Sequence, residues 1–376
     1  MTVSNHPNPS RTWAETLSSP LRTAFQHPWV EGIVRLGAVE DTLRAVHPML
    51  SITEARARVV RIVDETPDTK TFVLQPNALW QGRRSARAGQ FVQLRLEIDG
   101  RRVERIYSLS SRPGARLISI TVKRQSGGLV SPFLHERVKV GDVLTLSQPD
   151  GDFVLPDPLP EKILLLSAGS GITPVMAMLR DLQARGYPGD VVFLHVCRNP
   201  QALIFAQALR TIEEEFAELS LLVHFDDTDG PFTAERLQYA VPDLAERSTW
   251  MCGPAGFMDV VHRHWNSYAM AAPLHSERFV AIPAVPTTAP GTPVTVLLAT
   301  SGKQFLTQGV DPLLVQAEKA GLAPKHGCRI GICRSCQCTK RSGTVENLQT
   351  GEISDTPNEA IRLCVSVARS DLLLDL

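Results

Sequence analysis

The chain has 376 residues, more than one ordinary hydrophobic core contains, so two to four domains are expected. The 39 Lys and Arg residues balance the 39 Asp and Glu residues, and a net charge of zero argues against a nucleic-acid-binding protein. Five of the seven cysteines lie between residues 328 and 364. This odd number and close grouping indicate metal or redox chemistry in a reducing compartment, not a disulfide framework.

The N-terminal sequence MTVSNHPNPSRTW contains no basic segment followed by an apolar one, so no signal peptide is predicted. The most apolar stretch, residues 163–179, is interrupted by Gly169, Gly171 and Pro174. It is therefore not expected to span a membrane. Together these features predict a soluble, cytoplasmic protein.

Residues 1–51 are predicted to be an N-terminal extension in which apolar residues recur at roughly helical spacing. Pro20, Pro28 and Pro48 divide it into short helical segments. Two interpretations stay open. The extension is either a helical strap packed on the next domain, or a docking surface for a partner or for the face of a membrane.

Residues 52–155 carry a pattern of short strands separated by turn signals such as Asp99-Gly100. One short helix is predicted near residues 129–136. Closely spaced antiparallel strands with a single helix predict a small antiparallel β-barrel. The strands are expected at residues 57–63, 71–74, 91–97, 101–109, 117–123 and 143–146.

One strand of this barrel ends in Arg105-Ile-Tyr107-Ser108. The guanidinium of Arg105 can neutralise a phosphate. The ring of Tyr107 can lie along an isoalloxazine, and the hydroxyl of Ser108 can reach flavin N5. Taken alone, the motif is also compatible with an ordinary strand that has one salt bridge.

A second motif, Gly127-Gly128-Leu-Val-Ser131, opens the predicted helix. The amide groups at this helix N-terminus can bind a phosphate, although a turn followed by an N-cap explains the same residues. Together and in this order, the two motifs resemble the flavin site of the ferredoxin–NADP⁺ reductase family. The resemblance implies FAD in preference to FMN, because the family holds the second phosphate at this helix start.

Residues 156–281 alternate strands with helices, which predicts a parallel sheet in an α/β nucleotide-binding domain. The continuous apolar run at residues 162–167 predicts a strand that is buried on both faces. Further strands are expected at residues 191–196, 221–224 and 248–252.

The first strand of this domain leads into Gly169-Ser-Gly171-Ile-Thr173-Pro174. Such a glycine turn lets the backbone approach a pyrophosphate, whose charge meets the N-terminus of the following helix. Pro174 suits an early helical position. A turn that serves packing alone is the alternative.

The last of these strands ends in Cys252-Gly253-Pro254. Gly253 and Pro254 force a sharp turn from strand to helix and leave the thiol at the carboxyl end of the sheet, where ligands bind in such folds. The motif resembles the C-G-P sequence with which the same family places a cysteine beside the nicotinamide ring. For Cys252 alone, a buried structural role is the alternative.

Two further residues are assigned through the resemblance. Arg198 follows the second strand, where the family discriminates between dinucleotides, and an arginine there favours the 2′-phosphate of NADPH. NADH and a solvated surface arginine stay open. Phe279 lies near the position of an aromatic residue that, in the family, covers the flavin ring until nicotinamide displaces it. Plain core packing is the alternative for Phe279.

Residues 282–293 contain four prolines together with Thr, Ala and Gly, and they predict an extended linker. Residues 294–376 then form the last predicted domain. Its pattern predicts a hairpin, a helix and a terminal strand. These elements are expected at residues 294–298 and 302–305, at residues 312–320 and at residues 371–376, respectively.

Cys328, Cys333, Cys336 and Cys364 have the C-x4-C-x2-C…C spacing of the cluster ligands in plant-type ferredoxins. Four thiolates are needed because each iron of a 2Fe–2S cluster takes two of them besides the bridging sulfides. Zinc is the alternative, although only one C-x2-C pair is present. The domain resembles the β-grasp fold of plant-type ferredoxins. Cys338 is interpreted as a packed spectator thiol or as an alternative ligand.

The order of flavin, nicotinamide and ferredoxin domains resembles the reductases of multicomponent oxygenases and of fatty-acyl-CoA desaturases. It implies hydride transfer from nicotinamide to flavin near Ser108 and Cys252, and then single-electron transfer to the cluster. The N-terminal extension favours a membrane-bound desaturase, reached by peripheral contact, as the acceptor. Two alternatives stay open: an NADH-dependent reductase of a soluble ring-hydroxylating, steroid or acyl-CoA oxygenase, and an iron–sulfur redox sensor without turnover.

Overall fold

The described residues form four sheets: an antiparallel sheet, then a parallel sheet, and then two sheets in the last part of the chain, of which the larger is mixed. These sheets confirm the predicted multidomain fold class. A computed structural model describes residues 36–268, 270, 272–279, 293–307, 311–348 and 351–376. The predictions for residues 1–35 and for residues 282–292 of the linker lie outside the described residues. No helix in the described ranges is long and apolar enough to cross a membrane.

The extension ends in a helix, α1 (Leu36–Val46), which is fastened to the start of the barrel. The carboxylate Oε1 of Glu40 accepts hydrogen bonds of 2.8 Å from the backbone N–H groups of both Ile52 and Thr53. Its other oxygen, Oε2, pairs with Arg56 at 3.3 Å. The described part of the extension is therefore a helical strap on the first domain.

The barrel sheet has six strands around an apolar interior. Side chains alternate between this interior and the surface in the second half of β3 (Phe91–Ile98), whereas nearly all residues of β5 (Ile118–Lys123) are buried. The large interior residues include Phe72, Leu94 and Ile120. The strands are β1 (Ala55–Thr66), β2 (Thr69–Pro76), β3 (Phe91–Ile98), β4 (Arg101–Ser108), β5 (Ile118–Lys123) and β6 (Val143–Leu146), in the order β4-β3-β6-β1-β2-β5, with helices α2 (Gly82–Ser85) and α3 (Val130–Arg137).

The second domain is built on a five-stranded parallel sheet covered by helices. All residues of its central strand from Ile163 to Ala168 are buried, which explains the continuous apolar run. The elements are β7 (Lys162–Ala168), α4 (Ile172–Ala184), β8 (Asp190–Cys197), α5 (Ala206–Glu215), β9 (Leu219–Phe225), α6 (Asp226–Asp229), α7 (Ala234–Ala240), β10 (Ser248–Cys252), α8 (Ala255–Ser267) and β11 (Leu274–Glu277), with the strand order β11-β10-β7-β8-β9.

The described residues of the last domain form a five-stranded sheet, a smaller three-stranded sheet and one helix around their own core. The first hairpin and the last strand meet in the middle of the larger sheet, where Val296 pairs in parallel with Leu372. The elements are β12 (Val294–Leu298), β13 (Gln304–Thr307), α9 (Leu313–Lys319), β14 (Gln337–Ser342), β15 (Val345–Asn347), β16 (Ile353–Ser354), β17 (Glu359–Arg362), β18 (Ser366–Ala368) and β19 (Leu372–Leu374), in the orders β13-β12-β19-β14-β17 and β16-β15-β18.

Candidate electron-transfer site

Four cysteine sulfurs converge in the last domain. Cys328 and Cys333 each donate a backbone N–H to the other's Sγ, at 3.1 and 3.3 Å. The N–H of Gly331 donates to Cys364 Sγ at 3.2 Å. Backbone donors stabilise sulfur in its charged form. The backbone of the loop therefore provides the donors that would stabilise these cysteines as thiolate ligands.

The four thiols are linked to one another by side-chain hydrogen bonds. Hydrogen bonds from the Cys333 and Cys364 thiols lower the pKa of Cys328, and one from the Cys364 thiol lowers the pKa of Cys336. The described residues contain no group of three or more His, Cys, Asp or Glu side chains that could hold a metal ion. Four neighbouring thiols with backbone amide donors fit a binuclear cluster, whose two irons together take four protein sulfurs.

Cys338 is the fifth cysteine of this group and lies two residues beyond Cys336. Its position on β14 is opposite Ile361 of β17, and its side chain is buried in the core of the domain. Burial raises the pKa of the Cys338 thiol to about 12. A protonated, packed thiol agrees with the interpretation of Cys338 as a spectator.

The predicted flavin residues lie on β4, beside β3. Arg105 is exposed, and its Nη1 donates to the carbonyl of Glu104 at 2.8 Å. Tyr107 is half-buried, and burial raises the pKa of its hydroxyl. Ser108 is buried opposite Phe91 of β3. The strand therefore offers an exposed guanidinium followed by an aromatic ring and a hydroxyl, in the order that the prediction requires.

The glycine motif before α3 forms a turn with free space above it. Gly127 has a φ of +70°, and no atom lies within 4 Å of the position that a Cβ would take. The hydroxyl oxygen of Ser131 accepts a hydrogen bond of 2.9 Å from the N–H of Gln125, while Gly128 donates to the carbonyl of Gln125 at 3.0 Å. Ser131 thus closes the turn, and the open side of Gly127 is accessible to a ligand.

The two glycines after β7 have different roles. Gly169 has a φ of +52° and open space where a Cβ would be. At Gly171 a Cβ would lie 2.2 Å from the carbonyl oxygen of Cys252. Gly169 can therefore admit a ligand, whereas Gly171 packs the turn onto the end of β10. Thr173, whose hydroxyl donates to Ser170 at 3.1 Å, and Pro174 are both buried in α4.

A buried carboxyl beside Cys252 was missed by the sequence interpretation. Glu277 on β11 is the register partner of Cys252 on β10, and both side chains are buried. Burial raises the pKa of Glu277 to about 8. Burial and then the charge of Glu277 raise the pKa of the Cys252 thiol. The only sequence signal was the position of Glu277 in the last strand of the domain, just before Phe279.

The strand-to-helix turn after Cys252 has the predicted form. Gly253 lies against the ring of Phe257, where a Cβ would be 2.7 Å away. Pro254 is the N-cap of α8. Phe279 is half-buried and packs against the core of the nucleotide domain, a position that agrees with its core-packing alternative.

Arg198 is exposed beyond β8, and no carboxylate pairs with its side chain within the described part of the chain. Its carbonyl accepts a hydrogen bond of 2.9 Å from the N–H of Asp227. Asn199 Nδ2 also binds Asp227 Oδ2, at 2.8 Å. The backbone of Arg198 is thus next to the short acidic helix α6, a neighbour that sequence reasoning did not connect with it.

A cleft of about 730 Å³ is lined by residues of all three domains. Asp152 of the barrel, Glu277 and Arg278 of the nucleotide domain, and Gly331 and Arg362 of the last domain line it. The carboxyl beside Cys252 and the cysteine loop therefore border the same space.

Three family models match the chain: an oxidoreductase FAD-binding domain at residues 56–155, an oxidoreductase NAD-binding domain at 165–263 and a 2Fe-2S iron-sulfur cluster binding domain at 298–369. The chain is 37% identical over 341 residues to an NADPH oxidoreductase of Mycobacterium tuberculosis, covering 90% of this chain and 88% of the relative. It is 32% identical over 350 residues to the glycine betaine monooxygenase reductase subunit of Pseudomonas aeruginosa, covering 85% and 94%.

Among solved structures, the chain is similar to phthalate dioxygenase reductase, with a TM-score of 0.56 and 26% identity over 85% of this chain and 97% of that one. These findings confirm the resemblance inferred from the sequence. They also confirm the predicted cofactors FAD, a 2Fe–2S cluster and a nicotinamide dinucleotide.

Proposed function

The chain belongs to the ferredoxin–NADP⁺ reductase type of FAD/NAD/2Fe–2S fusion proteins and is an NAD(P)H-dependent oxidoreductase, and from this premise we propose that it passes electrons from NADPH to a terminal iron enzyme. The observation that carries the proposal is a contact between domains. Ser335, in the cysteine loop, binds Gln93 of the FAD barrel at 3.3 Å. A cluster next to the flavin domain is placed to take electrons from it.

We assign the site residues as follows. Bound FAD supplies the conversion of a two-electron hydride into single electrons. Arg105 and the turn at Gly127 hold its phosphates, and Ser108 and Cys252 orient the reacting rings. The other assigned groups have supporting roles: Tyr107, Gly128 and Ser131 around the flavin, and Gly169, Gly171, Thr173, Pro174, Gly253 and Pro254 around the dinucleotide. For Phe279, which packs on the core of the nucleotide domain, a flavin contact stays a prediction.

The cluster is assigned to Cys328, Cys333, Cys336 and Cys364. Plant-type clusters have reduction potentials of about −400 mV, which are low enough to reduce a terminal iron oxygenase. The oxygenase reductases among the relatives support an oxygenase as the acceptor. A membrane fatty-acyl desaturase stays a prediction that depends on residues 1–51.

The dinucleotide is proposed to be NADPH because the guanidinium of Arg198 is unpaired among the described side chains and free to bind a 2′-phosphate. The test is an anaerobic titration of the purified protein with NADPH and, separately, with NADH, followed by visible absorption. Flavin and iron–sulfur bands that both bleach at low NADPH support the full path. Bleaching by NADH alone overturns the choice of dinucleotide. A flavin that bleaches without a cluster band overturns the cysteine assignment.

Substituting Arg198 separates the dinucleotide choice from general damage. Arg198→Ala should raise the KM for NADPH about tenfold, because a charge-assisted hydrogen bond to the 2′-phosphate is lost. The KM for NADH should stay unchanged. Arg210→Ala, at an exposed position on α5, is the matched control. Equal changes with both dinucleotides would leave Arg198 without a role in discrimination.

A further inference from the structure

The cysteine loop contacts the FAD barrel through the two residues that lie between its second and third cysteines. Arg334 pairs with Asp152 through Nη2 and Oδ2. Next to it, Ser335 Oγ accepts a hydrogen bond of 3.3 Å from Gln93 Nε2. Two neighbouring residues of the loop therefore engage two residues of the barrel.

One barrel residue lies on β3 and the other close to its start. Gln93 is part of this strand and is the register partner of Ile106, the residue before Tyr107 on β4. Asp152 follows Gly151, whose carbonyl accepts a hydrogen bond of 3.1 Å from Gln90 Nε2, just before β3 begins. The contact surface for the cysteine loop is thus next to the strand that carries the flavin motif.

The loop presents Arg334 through an unusual backbone conformation. Arg334 has a φ of +55°, a left-handed conformation that is uncommon for residues other than glycine. Its carbonyl accepts a hydrogen bond of 2.9 Å from the N–H of Gln337, where β14 begins. The direction of the arginine is therefore set by the same turn that positions the neighbouring cysteines.

This contact differs from the one between the barrel and the nucleotide domain. That interface contains the buried Trp250, whose Nε1 donates to the carbonyl of Val154 at 3.1 Å. In contrast, the side chains of Arg334 and Asp152 are 43% and 78% exposed. Exposed ion pairs are weak and are screened by salt. The cluster loop is therefore held by the weaker and more easily separated of the two contacts.

We infer that Arg334 and Asp152 are a positioning pair that docks the cluster loop against β3 for electron transfer from the flavin. This inference rests on the proposed function. In the step concerned, one electron leaves the reduced flavin and one enters the cluster, and no bond between protein groups forms or breaks. Because electron transfer requires close approach, its rate follows the fraction of molecules that are docked.

The kinetic test uses the full-length holoenzyme in anaerobic stopped flow with NADPH. Asp152→Arg and Arg334→Glu should each leave bleaching of the flavin band unchanged and slow the later bleaching of the cluster about fivefold. The double variant restores the ion pair in reverse and should return the rate toward that of the wild type. High salt should slow the wild type but not Asp152→Asn.

Arg341→Glu is the matched control, because Arg341 is also exposed and paired, with Asp375, inside the same domain. It should leave both phases unchanged. The absorption spectrum of the cluster and its reduction potential should be the same in wild type and Asp152→Arg. A changed potential in Asp152→Arg would overturn the docking explanation, since the effect would then be on the cluster itself.

A second readout needs no turnover. In the oxidised protein, amide hydrogen exchange should increase on β3 and in residues 331–336 of Asp152→Arg, and the double variant should restore the protection. Single variants with wild-type rates and protection, or a double variant that stays slow, would overturn the inference. If NADPH leaves the wild-type cluster unreduced, the proposed function fails, while the exchange measurement still decides the docking.

Discussion

Cys252 and Glu277 are directly opposite each other on the neighbouring parallel strands β10 and β11, and both are buried. Glu277 Oε2 has no hydrogen-bond partner among the described residues. Burial therefore raises the pKa of the carboxyl to about 8, because a charge away from water is costly. The end of the sheet where the nicotinamide is expected thus contains a carboxyl that is mostly neutral at pH 7.

The stability of the protein should depend on the protonation of Glu277. Its pKa is about 8 in the folded protein and near 4.5 as the ordinary value. The neutral carboxyl therefore makes its full contribution to the free energy of unfolding below pH 4.5, and this contribution is lost as the pH rises through about 8. Glu277→Gln removes this loss, so its melting temperature should exceed that of the wild type by a growing margin between pH 5 and pH 8.5.

Thermal unfolding followed by circular dichroism at several pH values checks this prediction. Glu213→Gln is the control, because Glu213 is exposed on α5 and its substitution should not change the pH dependence. A constant difference between Glu277→Gln and wild type across this range would mean that Glu277 is charged in the folded protein.

Cys336 and Cys338 form a second contrast, between a predicted ligand and a spectator. Cys336→Ser should abolish the iron–sulfur absorption band, because a serine oxygen replaces one of the four sulfurs. Cys338→Ser should retain the band and lose about 1 kcal/mol of stability, since a polar hydroxyl replaces a thiol packed in the core. Iron and acid-labile sulfide analysis of both proteins is the measurement. Loss of iron in Cys338→Ser alone would make Cys338 the ligand.

The glycines after β7 provide a third contrast. Gly171→Ala should destabilise the protein by several kcal/mol, because the new Cβ would lie 2.2 Å from the carbonyl oxygen of Cys252. Gly169→Ala meets no neighbouring atom and should cost only about 1 kcal/mol for its left-handed backbone. It should nevertheless raise the KM for NADPH, since the Cβ would enter the open space that we propose for the pyrophosphate. Urea unfolding and steady-state kinetics separate these effects.

The predictions that were accurate came from features that are local in sequence. The apolar run of β7 predicted its strand because burial on both faces leaves no place for polar residues. The Cys252-Gly253-Pro254 turn was recognised because three adjacent residues determine its shape. For the same reason the spacing of the cysteines indicated a 2Fe–2S domain without any knowledge of the fold.

The features that were missed depend on contacts between distant segments. Glu277 meets Cys252 only because β11 is added in parallel beside β10, and nothing in the sequence around Glu277 indicates that neighbour. Arg334 and Asp152 are 182 residues apart, and each alone is an ordinary surface charge. The packing role of Gly171 likewise depends on where β10 ends. Periodicity and motifs carry no information on such pairs.

The strap at the N-terminus defines how the role of the extension should be tested. Deleting residues 1–51 removes Glu40, which pairs with Arg56, a guanidinium whose side chain is only 3% exposed. Arg56 would keep its ion pair with Glu54 at 2.9 Å but lose the strap. This deletion should therefore destabilise the barrel by about 1–3 kcal/mol. A loss of electron transfer to the partner could then not be distinguished from a loss of folded protein.

Deleting residues 1–35 leaves Glu40 and α1 in place and gives a cleaner test. The shortened protein should oxidise NADPH with cytochrome c at the rate of the full-length protein, because the three domains are intact. If the acceptor is a membrane desaturase, electron transfer to desaturase-containing membranes should fall, since the extension is the expected docking surface. Glu40→Ala in the full-length chain is the control for a loosened strap. Equal transfer with and without residues 1–35 would remove the reason to expect a desaturase and leave a soluble oxygenase as the acceptor.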